Sequence, residues 1–344
     1  MLTFYNEHHG QHRARRESRR GDMVPCREEP ERIDLVLAEL QRRGLGEIVT
    51  PHRVPLVSLE RIHSPRYLHF LRNAWSEWLA LDPANTDRDA LPSSWPIRGM
   101  RADLEPDSFH GRLGLYSMDS GTPLTSGTWN AAKTGADCAI NAAHALRLGE
   151  RGSFALTRPP GHHAGVDFFG GGCFLNNAAL AAQHLLDDGL KRVAILDIDY
   201  HHGTGTQGIF YGRSDVLFVS IHADPCSDYP FYLGHADETG SGEGLGYNMN
   251  LPLPRAANAQ QWMAALETAC IKLGMFAPEA LVVSLGVGAA AFDAGFGLQG
   301  GDFLRIGERI AWLGLPTAFV LEGGLGPDIG INTVNVLEGF ETAA

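Results

Sequence analysis

VAILDIDYHHGTGTQ, residues 193–207, decides the fold. Val193 to Leu196 is a short apolar run with no polar face, which predicts a strand covered on both sides, and it breaks abruptly into Asp197, Asp199 and His201. Side chains two apart share a face of a strand, so these three project together where the strand ends. In open parallel sheets, ligands bind beyond the carboxyl ends of the strands. Two carboxylates and an imidazole gathered there are costly unless a cation compensates them; a divalent metal does so, and imidazole with carboxylate suits zinc. The blander reading of the same residues is a buried ion pair or a helix cap.

Further strands are expected at Val216 to Ile221, Leu281 to Leu285 and Ala318 to Leu321. Helical patterns at Asn177 to Asp188, Ala259 to Leu273 and Phe303 to Leu313 alternate with them, the signature of a parallel sheet with crossover helices. Nearer the N-terminus, Ile33, Val36, Leu37 and Leu40 recur at helical spacing between Pro30 and Gly44, which predicts an amphipathic helix. No repeat and no linker divides the chain. The expected class is therefore α/β, one domain over residues 1–344 with a central, mostly parallel sheet flanked by helices. Residues 83–123 carry Pro92, Pro96, Pro106 and Pro123 and are too long for an ordinary connection, so they read as a functional or oligomerisation excursion.

Composition narrows the partners. With 344 residues, 44% hydrophobic and 20% charged, the chain can bury a sizeable core. Its net charge of -12 disfavours nucleic acid and anionic membranes. Cys26, Cys138, Cys173, Cys226 and Cys270 are scattered without a CxxC pair and read as reduced thiols of a cytoplasmic protein. The opening residues lack the apolar stretch of a signal peptide, and no run approaches the ~20 apolar residues that span a bilayer. Arg13, Arg15, Arg16, Arg19 and Arg20, interrupted by Glu17, read as a solvated loop.

A second chemical segment is RPPGHHAGVDFFGGGCFLNN, residues 158–177. Pro159, Pro160 and Gly161 exclude a regular helix, so His162 and His163 sit on a constrained loop ahead of Gly170, Gly171 and Gly172. Adjacent histidines can share general-base and general-acid work when partners fix their tautomers. Alone the pair is a weak signal; upstream of DxDxHH it becomes a strong one.

Taken in order, RPPGHHAG, GGCFLNNAA, ILDIDYHHGTGTQ, VSLGV and LEGG resemble the zinc-dependent histone deacetylase family of the arginase/deacetylase fold, and within it the bacterial acetylpolyamine amidohydrolases, from MLTFYNEHH to INTVNVLEGFE. The resemblance implies zinc held by Asp199 and His201, with a third carboxylate from a later loop. It implies that His162 and His163 activate water against an acyl amide, that Asp197 stands behind His162, and that Asp197, Ser220 and Ile221 form a potassium site. Gly171, Gly172, Tyr229 and Leu325 fall at substrate-channel positions. The implied ligand is a small acylated amine, and a homodimer is expected through the excursion.

Several positions depart from the family's pattern. Gly288 stands where the third metal-binding aspartate belongs, and Asp293 further on matches a different acidic position. Leu325 replaces the tyrosine that hydrogen-bonds the developing oxyanion, and loss of such a donor costs ~10²–10³ in turnover. Gly172 replaces a channel aromatic, and Thr204 stands where a support for the second histidine is usual. Asp103, Glu105 and Asp107 offer charge for a cationic amine, whereas His110 at an acidic position argues against polyamine recognition. The expected function is a deacetylase-family protein with a degenerate site and impaired or altered deacetylation; the alternative is an active metal-dependent amidohydrolase acting on an acetylpolyamine or acyl-lysine.

Overall fold

The computed structural model describes residues 1–97, 101–288 and 295–343. Among the described residues the strands are β1 (Leu2–Tyr5), β2 (Arg16–Arg19), β3 (Asp22–Pro25), β4 (Glu47–Val49), β5 (Gly152–Leu156), β6 (Val193–Asp197), β7 (Val216–Ala223), β8 (Asn248–Leu253), β9 (Ala280–Leu285) and β10 (Thr317–Leu321). The helices are α1 (Glu31–Arg43), α2 (Leu56–Leu59), α3 (Pro65–Leu81), α4 (Phe109–Leu115), α5 (Thr128–Arg147), α6 (Asn177–Asp187), α7 (Thr204–Phe210), α8 (Ala259–Phe276), α9 (Gly300–Ala311) and α10 (Ile329–Thr342).

Eight strands form one sheet in the order β4-β1-β5-β10-β9-β6-β7-β8, and all its pairings are parallel. Period-two alternation splits the core into two layers. Val193 and Ile195 of β6 face the layer built with α3, α5 and α6, while Ala194 and Leu196 face the one built with α1, α8, α9 and α10. Covered on both faces, β6, β9 and β10 are buried throughout, as their apolar runs require. The helix read from Pro30 to Gly44 is α1, ended by Gly44 in the left-handed conformation.

One expectation changes here. The arginine cluster is not merely a solvated loop: Arg16 to Arg19 pair antiparallel with Asp22 to Pro25 as a β-hairpin turned by Arg20 and Gly21 at positive φ. The excursion at 83–123 holds a 3₁₀ turn and α4, and its C-terminal part returns to the molecule through the bridges Ala90–Leu124 and Ser117–Phe169. Among the described residues no helix is long and apolar enough to cross a membrane. All five cysteines are free.

Candidate active site

The loops that leave β5, β6, β9 and β10 converge at the carboxyl edge of the sheet. The β5 loop brings Arg158 to His163, the β6 loop Asp199 and His201, the β9 loop Gly286 to Gly288, and the β10 loop Glu322 to Leu325. Strand β6 stops at Asp197, so Asp199 and His201 stand on the segment after it rather than on the strand itself. Their common direction survives because the loop is pinned: Asp197 Oδ1 accepts the Asp199 N–H at 3.0 Å, and Asp199 Oδ1 accepts the His201 N–H at 2.9 Å.

Asp199 is buried, and its other oxygen accepts the Gly323 N–H at 2.8 Å. This grip explains two glycines. A Cβ on Gly286 would lie 1.8 Å from Asp199 Oδ2, and one on Gly323 would lie 2.5 Å from it, so neither position admits a side chain. Gly288 differs: a Cβ there meets Tyr200 Cβ at 3.5 Å and Gly324 N at 3.9 Å, ordinary contacts that leave the place open.

His162 and His163 are both buried, their ring centroids 4.1 Å apart. His162 Nδ1 lies 3.0 Å from Asp197 Oδ2 and its Nε2 lies 4.0 Å from Asp199 Oδ1. Burial opposes its charged form, but the Asp197 and Asp199 carboxylates outweigh that and raise its pKa to about 10. His163 goes the other way: burial, with His162 and His201 alongside, pushes it well below the ordinary histidine range. Its Nδ1 is buried without a hydrogen-bond partner among the described residues, while the Thr204 hydroxyl turns to the His202 carbonyl at 3.2 Å.

Three further groups shape the site without having stood out in the sequence. Glu322 accepts the backbone N–H groups of Gly161 at 2.6 Å and His162 at 3.1 Å, and burial raises its pKa to about 7. Asp119, from the excursion, accepts the Tyr229 hydroxyl at 2.9 Å and the Gly171 N–H at 2.6 Å. Arg158 is fully buried and donates to the carbonyls of His9 and His12 at 2.6 Å each and to Glu28, tying the N-terminal segment to the histidine loop. The LEGG and RPP strings contained two of these residues. Asp119 carried no local signal.

A cavity of about 400 Å³ opens over these loops, lined among others by Asp199, His201, Gly171, Gly288, Gly323 and Leu325. Gly172 and Tyr229 do not line it. Tyr229 instead packs edge-on against His163 at 5.2 Å and His201 at 5.8 Å, and Gly172 has φ +77°, a backbone state that side chains avoid. Asp103 pairs with Arg101, and Glu105 accepts the Tyr116 hydroxyl at 2.8 Å. Neither they nor Asp107 reach the cavity wall. Ser220 is paired in register with Asp197 and followed by Ile221 on β7, and its hydroxyl lies 2.8 Å from His222 Nδ1.

A catalytic zinc normally has three protein ligands and one open position. Asp199 and His201 provide two donors, with His201 Nδ1 3.8 Å from Asp199 Oδ1, and Gly288 and Leu325 provide none. Beside them, buried His162, Cys173 and Glu322 bring three potential ligand atoms within 4.8 Å of one another; Asp293 lies outside the described residues. A separate trio, His144, His184 and Asp188, brings three potential ligand atoms within 4.8 Å of one another on the surface.

The histone deacetylase domain family matches residues 26–335. The chain is 50% identical to acetylpolyamine amidohydrolase 2 of Pseudomonas aeruginosa over 99% of both chains, and 42% identical to the acetylpolyamine amidohydrolase of Mycoplana ramosa over 98% of this chain and 99% of that one. It superposes on the crystal structure of an acetylpolyamine aminohydrolase from Burkholderia pseudomallei with TM-score 0.94 and 38% identity, covering 100% of this chain and 99% of that one.

Proposed function

From the premise that this chain belongs to the histone deacetylase family, we propose that it binds a small acylated amine in the cavity above β6 and β10, with ordinary zinc-dependent deacetylation impaired or altered. One observation carries this reading. The cavity that keeps Asp199 and His201 is completed by Gly288 and Leu325, which offer neither a metal donor nor a hydroxyl. The histidine pair remains suited to proton transfer, since Asp197 fixes the His162 ring while His163 stays neutral beside it. A polarised carbonyl between them would have no hydroxyl from position 325 to receive its developing charge. In this reading Asp197, Ser220 and Ile221 hold potassium, and the chain forms a homodimer through residues 83–123.

The test is metal content and cleavage of acetylputrescine and acetyl-lysine peptides, compared between wild type and Gly288→Asp plus Leu325→Tyr. Both proteins carry His184→Ala, so that the surface trio does not count as catalytic metal. The expected outcome is that the double substitution raises zinc occupancy and turnover. Stoichiometric zinc and ordinary turnover in wild type would overturn the proposal.

A second reading keeps full activity, with substrate atoms completing the metal shell. The intact 3.0 Å contact between His162 and Asp197 favours it. It requires His163→Ala to abolish a measurable cleavage, and fails if no acyl amide is cleaved.

A further inference from the structure

Away from the cavity, α5 and α6 bring metal-type donors together at their C-terminal ends. His184 lies in the last turn of α6 and Asp188 caps it, four residues on, so both stand on one face; His144, in the last turn of α5, reaches them from the side. His184 Nε2 lies 3.4 Å from His144 Nδ1 and 3.4 Å from Asp188 Oδ2, and His144 Nδ1 lies 3.5 Å from the same oxygen. These spacings exceed the roughly 2.7–3.2 Å of a good hydrogen bond, so the three atoms converge without bonding one another well. They form a near-equilateral triangle instead. An ion seated on it as the centre of a tetrahedron would lie about 2.1 Å from each atom, the distance zinc keeps from imidazole nitrogen and carboxylate oxygen.

The surroundings favour a cation. Two helices end at the trio, and the C-terminal pole of a helix carries partial negative charge. The neighbouring carboxylate, Asp187, is taken up by Arg61 at 2.8 and 2.9 Å and by Gln183 at 2.8 Å. Arg147 donates to the backbone carbonyl of Asp188 at 3.2 Å, which leaves the Asp188 carboxylate, among the described residues, to the two histidines. Burial lowers the pKa of His184, which keeps its imidazole in the neutral form that ligates metal at pH 7.

We propose that His144, His184 and Asp188 form a metal site separate from the cavity, holding one divalent transition ion of the zinc class with its fourth position open to solvent. The ion staples the end of α5 to the end of α6. Imidazole with carboxylate selects such ions over calcium and magnesium, which take oxygen shells. The trio shares no residue with the cavity wall, so the site stands whether or not the cavity holds metal.

The test is calorimetric titration of zinc chloride into chelator-stripped, untagged full-length protein, with His144→Ala, His184→Ala, Asp188→Asn and His201→Ala alongside. One zinc equivalent bound by wild type should be lost or weakened by about tenfold or more in each of the first three variants, and kept in His201→Ala. Zinc should also raise the thermal midpoint of wild type and of His201→Ala more than that of His144→Ala, while magnesium chloride raises none of them. The midpoints without zinc report folding, since His144 is half-exposed. The proposal is overturned if wild type and both trio-histidine variants bind the same number of zinc ions equally tightly, or if the only zinc bound is that lost with His201→Ala.

Discussion

Glu28→Gln is a sharp probe of how the N-terminal segment is held against the histidine loop. Glu28 Oε1 lies 2.6 Å from Arg32 Nε and 2.8 Å from Arg158 Nε, and Oε2 lies 2.8 Å from the second guanidinium nitrogen of Arg158. Burial opposes ionisation of this carboxyl, but Arg158 and Arg32 override it and hold the pKa at about 2, below an ordinary value of 4.5. The difference corresponds to roughly 3 kcal/mol of folding stability. Because the folded value is the lower one, this contribution is complete above about pH 4.5 and is lost as pH falls toward about 2. Wild type should therefore lose roughly 2 kcal/mol through this group between pH 5 and pH 3, and the glutamine variant none of it. At pH 7 the variant leaves Arg158 buried beside a neutral amide and should be less stable by roughly 3 kcal/mol. Urea denaturation at pH 7, 5, 4 and 3 measures both quantities. A gap between the two proteins that stays constant from pH 7 to pH 3, or no gap at pH 7, would refute the reasoning.

Two other perturbations follow from the same geometry. Gly171→Ala puts a Cβ 2.3 Å from His163 Cδ2 at φ +56°, so it should cost roughly 2 kcal/mol and lower the thermal midpoint, with the glycine loop shifting off His163; an unchanged midpoint would mean that the loop relaxes freely. Replacing potassium by sodium should lower the thermal midpoint if Asp197, Ser220 and Ile221 hold the larger ion, and Ser220→Ala should erase the difference; equal midpoints in both salts would remove potassium from the proposal.

The sequence disclosed the strands whose residues are apolar on both faces and hid those that are short or mixed. β6, β7, β9 and β10 lie in the middle of the sheet or next to it, and their composition shows it. β4 is only three residues, Glu47–Val49, on the sheet's edge, and β8 includes Asn248, Asn250 and Pro252; neither resembles a buried run. Helix α5 was equally quiet because it is buried on almost every side with Ala, Gly and Asn, which erases the contrast that marks an amphipathic helix. In the site, the histidines and carboxylates were legible because they sit together in two short strings. Asp119 was not, since its relevance depends on its contact with Tyr229, 110 positions away. Glu17 among the arginines suggested a self-compensated surface, whereas in the folded chain it faces the same cavity as Arg19 and Arg20.

The residues that make the family recognisable also do structural work, and this separates recognition from activity. Asp199 closes the turn after β6 and clamps the β10 loop through Gly323, Asp197 caps that turn and orients His162, and Glu322 holds the histidine loop through Gly161. Gly286 and Gly323 are required by the approach of Asp199 whether or not a metal is bound. These residues would therefore be kept for the fold even in a chain that had lost the chemistry. At Gly288, by contrast, a Cβ meets Tyr200 at an ordinary 3.5 Å, so a side chain there does not press on the backbone that grips Asp199. In the proposed reading, what separates this cavity from a complete metal site is then a matter of side-chain donors rather than of backbone.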